Sequence, residues 1–384
     1  MRLKSPAFTY SILLCLSLSA VVKAYTPQDS VTGNAWKGTL EFSAYLEAYY
    51  QHDFTKPVNG QRPSFLYSHS QHNRINVNLS FLKFSYNARR FRANAAVMAG
   101  TYTEANLSAE PVYLRHIYEA NIGFNVLRKK QLWLDAGIFP SHIGFESAVS
   151  KDCWTLTRSM MAENSPYEES GIKLTWISAD NKITASALVL NGWQRLQWIK
   201  GNTLPSFGWQ LVVKPTETLL INSSSFIGTN SSNAQRRIRF FHNLYIIYSA
   251  SAKWGITASF DVGAEQKTKS SKAYSMWHTS ALIVRYMPVS KLSLAARFEH
   301  YTDPSSVMIN VESANGFSTL GYSLNIDYLP VSQVALRAET RLLHSLNGPV
   351  FTTSSSSATA FNPSVCLSVA LAITHTPAIK QPKP

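Results

Sequence analysis

Residues 320–328 read LGYSLNIDY, and this short stretch decides the fold class. Every second residue is apolar or aromatic, and the residues between them are glycine or polar. Because successive side chains of a β-strand point to opposite faces, one face of such a strand is apolar and the other is polar. The apolar positions are Leu320, Tyr322, Leu324, Ile326 and Tyr328, and the polar positions are Gly321, Ser323, Asn325 and Asp327.

The same alternation recurs along most of the chain, in about sixteen runs. Chain segments of this length and pattern are typical of strands that separate an apolar medium from water. The predicted strands cover residues 38–50, 74–86, 90–102, 114–127, 131–139, 169–178, 182–192, 207–214, 217–228, 237–249, 254–265, 275–287, 291–302, 317–329, 332–345 and 364–374.

The connections between these runs alternate between short and long. The short ones read NARR, RKKQ, ADNK, KPTE, SASAK, MPVSK and LPVSQ. The long ones cover 51–73, 103–113, 140–168, 193–206, 229–236, 266–274, 303–316 and 346–363. Outer-membrane barrels have short periplasmic turns and longer extracellular loops, whereas a soluble sandwich or propeller would mix loop lengths at both ends.

The predicted fold is therefore all-β: a transmembrane, antiparallel, up-and-down β-barrel of about 16 strands, within a range of about 14–18. We assign residues 25–374 to the barrel and 375–384 to a periplasmic tail rich in Pro and Lys. No run of about 18 apolar residues follows residue 24, so the sequence offers no transmembrane helix.

Residues 1–24 have the pattern of a cleaved signal peptide. Arg2 and Lys4 precede an apolar stretch, and the segment ends at Ala24. Leu13 and Leu14 stand where a lipid-anchor site at Cys15 would need small residues, so we favour export without a lipid anchor. The expected location is the outer membrane, where lipid surrounds the barrel and the barrel-assembly machinery is the expected folding partner.

Composition limits the function classes. The formal net charge is +14, and removal of residues 1–24 leaves +11. No basic helix, zinc motif or aromatic-stacking motif accompanies this charge, so a cationic lumen is favoured over nucleic-acid binding. Cys153 and Cys366 are the two cysteines after residue 24, too few for a disulfide framework.

The polar face of the strands predicts the lining of a channel, because a barrel of about sixteen strands leaves an aqueous lumen. Apolar positions such as Ile75, Val77, Leu79 and Phe81 are assigned to the lipid face. Charged residues occupy the alternate positions, whose side chains point to the other face of the strands. The predicted pore-lining residues are Arg297, Glu299, Arg337, Glu339, Arg341, Asp135, Asp261 and Arg285.

The longest connection, residues 140–168, reads PSHIGFESAVSKDCWTLTRSMMAENSPYE. Long loops of varied, partly apolar composition usually fold against another part of the protein. This loop either enters the lumen and narrows it or covers the mouth as an external lid, and the sequence leaves both arrangements open. The candidate constriction residues are His142, Glu146, Asp152, Arg158 and Glu163, which would face Arg297, Arg337 and Arg341 across the channel.

Motifs for catalysis or cofactor binding are missing from the sequence. It contains no GxSxG nucleophile elbow, no HExxH, no CxxC and no glycine-rich phosphate loop. We therefore expect a protein that is not an enzyme and that needs no metal or cofactor.

Several segments resemble a known family. The segments WLDAGIFPSHIGFES, TLTRSMMAENSPYEESGIKLTW, LVLNGW, RIRFFHNLY, FDVG, RFEHYTD and LRAETR are similar to those of the OmpL-like β-barrel porin family of Gram-negative bacteria. The resemblance covers about residues 70–345 and implies an outer-membrane barrel with a porin role. The last strand departs from the usual pattern, because it ends at Thr374 without a terminal aromatic residue.

The leading functional hypothesis is a porin-like channel for passive diffusion of small hydrophilic solutes, with anions favoured by the net charge. The alternative is a non-enzymatic surface barrel, an adhesin or assembly anchor, whose lumen is plugged. Arg62, in the first external loop, is predicted to influence ion selectivity much less than Arg297, Arg337 and Arg341.

Overall fold

A computed structural model describes residues 38–127, 130–311, 313–355 and 357–377, and in these residues sixteen strands close into one antiparallel barrel. The strands are β1 (Gly38–Asp53), β2 (Ile75–Ala88), β3 (Phe91–Ala99), β4 (Ile117–Asn125), β5 (Gln131–Pro140), β6 (Glu168–Ile177), β7 (Ile183–Leu190), β8 (Ser206–Thr216), β9 (Leu219–Gly228), β10 (Arg239–Tyr248), β11 (Trp254–Gln266), β12 (Tyr274–Val289), β13 (Leu292–Asp303), β14 (Phe317–Val331), β15 (Val334–Ser345) and β18 (Phe361–His375), with a small separate hairpin of β16 (Phe351–Thr352) and β17 (Ala358–Thr359).

Each barrel strand pairs with its neighbours along the chain, and the first strand closes the barrel against the last. Leu46 of β1 lies opposite Leu371 of β18 on one side and opposite Ser80 of β2 on the other. The predicted up-and-down topology and the strand number are confirmed. A closed barrel leaves no strand edge unpaired, which is the condition for crossing a bilayer with strands.

Tight turns lie at one end of the barrel and eight loops at the other. The loops are L1 (54–74), L2 (100–116), L3 (141–167), L4 (191–205), L5 (229–238), L6 (267–273), L7 (304–316) and L8 (346–360). L2 contains two short α-helices that were not predicted, α1 (Thr101–Asn106) and α2 (Val112–Arg115). L3 contains one short α-helix, α3 (Met160–Glu163), and one 3₁₀-helix (Ser150–Asp152). Among the described residues, no helix is long and apolar enough to span a membrane.

The outer face of the barrel is a band of exposed apolar side chains. Leu294, Phe298, Leu324 and Leu367 belong to this band. Exposed aromatic residues such as Trp254 and Tyr328 lie close to the turns, where an aromatic girdle meets the membrane interface.

The lipid-facing assignment of Leu79 and Phe81 is wrong. The register between β1 and β2 shifts after Glu47, so that Glu47 pairs with Leu79 while the next residue, Ala48, pairs with Val77. The extra residue on β2 forms a β-bulge. The side chains that follow it therefore point to the opposite face from the one that strict alternation predicts. Leu79 is consequently buried in the barrel, and Phe81 stacks on the inward-facing Tyr45.

The orientation of the barrel gives a first testable prediction. Long loops are extracellular in this class of barrel, so a peptide tag inserted after Gly348 of L8 or Asn202 of L4 is expected to be labelled in intact cells. A tag after Pro330, at the end of β14 next to the turn that leads to β15, is expected to be labelled only after permeabilisation. Labelling in the opposite pattern would mean that the barrel is inverted. Lys129, a second turn site predicted from the sequence, and the signal segment 1–24 lie outside the described residues.

Candidate functional site

Buried apolar side chains fill the loop end of the lumen. They come from inward-facing strand positions near the loops and from five of the loops, L1, L3, L4, L7 and L8. This group of side chains is called here the lumen cluster. Its members are Phe65, Leu66, Phe139, Ile143, Met160, Leu188, Leu190, Trp193, Phe226, Phe241, Trp277, Tyr301, Ile309, Phe317, Leu343 and Phe351.

L3 lies inside the barrel, against the wall formed by β13, β14 and β15. The backbone N–H of Thr157 donates to Glu339 at 2.6 Å, and its hydroxyl donates to the same carboxylate at 2.7 Å. The backbone N–H of Leu156 donates to Asn325 at 3.0 Å. That of Met160 donates to Glu299 at 2.6 Å. The loop is therefore held to the wall by charge-assisted hydrogen bonds, and an external lid is excluded.

The predicted arginines point inward, and Arg297 and Arg337 contact L3 directly instead of facing it across a channel. Arg297 donates to the carbonyl oxygen of Thr157 at 2.6 Å and to the Thr155 hydroxyl at 2.8 Å. Arg337 donates to the carbonyl oxygens of Ser150 and Cys153. Carbonyl oxygens of the loop thus take the place of water around these guanidiniums.

Carboxylates of the wall complete the same network. Arg297 Nη2 lies 2.9 Å from Glu339 Oε1, and Arg341 Nη2 lies 2.6 Å from Glu299 Oε1. Arg337 Nε lies 2.7 Å from Asp327 Oδ1. Since buried charges are stable only when paired and hydrogen-bonded, this network is neutralised locally and does not form an uncompensated cationic wall.

The opposite side of L3 is attached to β1. The Ser150 hydroxyl donates to Glu47 Oε1 at 2.5 Å, and the Tyr45 hydroxyl lies 3.0 Å from that of Ser150. Glu47 also lies 3.2 Å from His69 Nε2 and accepts from Asn78 at 2.9 Å. L3 therefore extends from β5 and β6, where it begins and ends, to the part of the wall formed by β13, β14, β15, β18 and β1.

Two charged residues of the candidate constriction stabilise the path of L3 itself. Arg158 donates to the carbonyl oxygens of Leu156 and Ala148 at 2.8 and 2.7 Å, within its own loop. Glu146 accepts from the backbone N–H of Ser159 at 3.0 Å. Burial raises the pKa of Glu146 even though Arg297 and Arg158 oppose the shift.

His142 anchors the start of L3. Its Nδ1 lies 2.8 Å from Glu169, and its Nε2 lies 2.9 Å from the carbonyl oxygen of Ser225 on β9. Burial alone would lower the pKa of His142, but the Glu169 carboxylate and the Ser225 carbonyl raise it above its usual value. Both ring nitrogens therefore face acceptors, which favours the imidazolium form.

The remaining predicted site residues are dispersed. Asp135 pairs with Arg92, with Nε and Oδ1 2.7 Å apart, and Asp261 accepts from Asn243 at 2.5 Å. Arg285 lies 4.4 Å from the centroid of the Trp154 ring.

Glu163 accepts from the backbone N–H groups of Tyr67 and Ser68 in L1, at 2.9 and 3.1 Å, whereas Asp152 is exposed. That any of these residues line a conduction path stays a prediction.

L1 enters the lumen together with L3, which the sequence did not predict. Arg62 is 4% exposed, donates to Ser364 at 3.1 Å and lies 3.7 Å from Asp53. The assumption that Arg62 is external was wrong, so it cannot serve as a remote control for selectivity. The mixed composition of L1, with Phe65 and Leu66 among polar residues, was the available signal.

Within the described residues, no group of three His, Cys, Asp or Glu side chains could hold a metal ion. Cys153 and Cys366 are both buried and free.

A closed sixteen-stranded barrel with an inward-folded third loop defines a porin-type outer-membrane barrel. The chain belongs to the family described as "Putative beta-barrel porin-2, OmpL-like", whose model matches residues 39–374. The family and the fold point to a channel and not to an enzyme. A comparison with curated proteins found no match.

Solved porin structures share the fold at low sequence identity. The anion-selective porin from Comamonas acidovorans is similar with a TM-score of 0.57 and 7% identity, over 88% of this chain and 100% of that one. The channel DcaP of Acinetobacter baumannii gives 0.55 and 10%, over 88% and 97%. The trimer form of OmpT of Vibrio cholerae gives 0.54 and 9%, over 88% and 99%.

Proposed function

We propose that this protein is a narrow diffusion channel for small hydrophilic solutes, in which L3 sets the width of the passage. The observation that carries the proposal is the way in which L3 is held. Its contacts with β13–β15 are hydrogen bonds between loop backbone and charged wall side chains, including Thr157 with Glu339 and Met160 with Glu299. Because these hydrogen bonds hold L3 against the wall, the loop narrows the lumen at this level.

We further propose that the channel prefers anions to cations. This preference is supported by the charge of +11 that remains after residue 24. The arginines Arg297, Arg337 and Arg341 lie on the inner face of the barrel, but each is paired with a carboxylate. The preference should therefore be modest, because fixed charges act on ions only over about 8 Å at physiological salt.

Replacing Arg297, Arg337 and Arg341 together by glutamine is expected to shift the reversal potential towards cation preference, and more at low salt than at high salt. The substitutions leave Glu339, Asp327 and Glu299 without their partners, so the passage becomes negative. The measurement is the reversal potential of single channels in a planar bilayer under a KCl gradient.

Two controls make this experiment specific. Arg237 is 48% exposed at the loop end of β10, so Arg237→Gln should leave the reversal potential unchanged. Adding Glu299→Gln, Asp327→Asn and Glu339→Gln to the triple variant should restore the parent value. A triple variant with the parent reversal potential at low salt would show that these residues do not line the conduction path.

The second candidate function is a surface barrel with a plugged lumen. The lumen cluster favours it, because sixteen buried apolar residues close the extracellular half of the barrel around Met160 and Phe65. The two functions differ in conductance: a plugged barrel inserted in a bilayer passes no steady current.

A further inference from the structure

Two cavities with polar groups in their lining open between the loops at the extracellular end of the barrel. One, of about 250 Å³, lies among L1, L2, L3, L4, L5 and L7. The other, of about 700 Å³, lies between L1, L2 and the start of β2. Tyr67 and Ser108 line both cavities, so the two adjoin. Together they are called here the vestibule, and small-molecule sites usually have volumes of about 300–1,000 Å³.

The carboxylates of the vestibule already have partners. Glu110 lies 3.4 Å from Arg195 and accepts from the backbone N–H of Gln197 at 3.1 Å. Glu104 lies 3.0 Å from Arg115. Both oxygens of Glu163 accept from backbone N–H groups of L1.

The guanidiniums of the vestibule are paired as well. Arg239 lies 2.7 Å from Glu265, and its guanidinium is 5.2 Å from the centre of the Trp193 ring. Arg62 is held between Asp53 and Ser364. A charged solute would have to displace one of these partners or be desolvated without one, and both outcomes are unfavourable.

Hydroxyl and carboxamide groups make up most of the remaining polar lining. Among them are Gln61, Gln71, Asn76, Ser70, Ser108 and Asn164. Asn164 is 7% exposed, and its Nδ2 donates to the carbonyl oxygen of Met160 at 2.8 Å. Its Oδ1 accepts no hydrogen bond from any described residue. A buried carbonyl oxygen without a donor is stabilised by a ligand hydroxyl.

Apolar surface borders these polar groups. Trp193, Leu107 and Met308 line the smaller cavity, and the Tyr67 ring stands where the two cavities meet. A ligand for this lining has hydroxyl groups at its edges, C–H groups on its faces and no net charge. These are the features of a sugar ring.

We propose that the vestibule binds neutral saccharides before they pass into the lumen. The inference rests on the proposed channel function and names the solute class. The smaller cavity is of the size of one sugar ring, and the larger one, joined to it at Tyr67 and Ser108, extends the site to a short oligosaccharide.

The test uses detergent-solubilised full-length protein and maltotriose, with binding followed by saturation-transfer NMR. Ser108 is exposed, so Ser108→Trp adds an indole to the cavity wall without changing the protein core. Tyr67→Ala removes the ring but keeps the backbone N–H that donates to Glu163. Each variant is expected to bind maltotriose about tenfold more weakly, a change of about 1.4 kcal/mol. Thr268→Trp, at an exposed position in L6, is the matched control and should bind like the parent.

Charge discrimination is measured by competition. Glucose should displace maltotriose, and glucose 6-phosphate, which carries the same ring with a negative charge, should displace it less well. The proposal is overturned if the parent does not bind maltotriose, if both cavity variants bind it like the parent, or if glucose 6-phosphate is the better competitor. Binding does not require conduction, so a parent that binds maltotriose but passes no current contradicts the channel and leaves the saccharide site intact.

Discussion

Replacing residues 146–159 of L3 by a short Gly-Ser linker is expected to raise the single-channel conductance several-fold. This segment contains Ser150 and Thr157, which bind Glu47 of β1 and Glu339 of β15, and Arg158, which stabilises the path of the loop itself. Without it, Arg297, Arg337, Glu47 and Glu339 regain water, and the lumen approaches the open width that sixteen strands enclose. The predicted change is large because L3 occupies the lumen at the level of these charges.

The comparison is made in planar bilayers with purified parent and variant protein. A variant in which residues 268–272 of L6 are replaced by a Gly-Ser linker of equal length is the control, because L6 is a short, exposed loop. Its conductance should equal that of the parent. If the L3 variant folds into the same β-rich barrel and its conductance is unchanged, then L3 does not set the width of the passage.

The second large effect is expected for stability. Arg297→Gln removes the guanidinium that pairs with Glu339 and Glu299 and that donates to Thr155 and Thr157. Removing one partner of a buried ion pair typically costs about 3–5 kcal/mol, because the other charge stays buried without compensation. We therefore expect a loss of this size in the free energy of unfolding, measured by urea titration of the protein in detergent micelles.

The pairing itself is tested by the double variant Arg297→Gln with Glu339→Gln. It should be more stable than the single variant, because the uncompensated carboxylate is gone. Arg237→Gln removes a half-exposed guanidinium and leaves Glu265 paired with Arg239, so it should cost less than about 1 kcal/mol. Equal stability of Arg297→Gln and the parent would show that the buried network does not hold L3.

The barrel was predictable because lipid on one side and water on the other impose the same two-residue period on every strand. The alternation in residues 320–328 is matched by β14, and the alternating loop lengths fix the topology. The prediction that Leu79 faces the lipid failed for a local reason. A β-bulge adds one residue to β2 and exchanges the faces to which the following side chains point. No residue type in that segment marks the bulge.

The site was predictable only in part. Alternation placed Arg297 and Arg341 on the inner face, but it could not show what they contact. The partner of Arg297, Thr157, lies 140 positions away in L3, and backbone carbonyl oxygens carry much of the contact. Backbone acceptors have no sequence signature. The inward fold of L1, which buries Arg62 beside the Ser364 hydroxyl, was missed although Phe65 and Leu66 among its polar residues were an available signal.

The central claim is that this barrel is a channel and not a plugged anchor. It is tested most directly by recording single-channel currents of the parent protein in a planar bilayer, with insertion verified by labelling of a tag after Gly348. We predict discrete current steps that are small and that grow when residues 146–159 of L3 are replaced. A bilayer that stays silent with the parent and with the L3 variant, both verified as inserted, would contradict the claim and assign the barrel to a surface anchor.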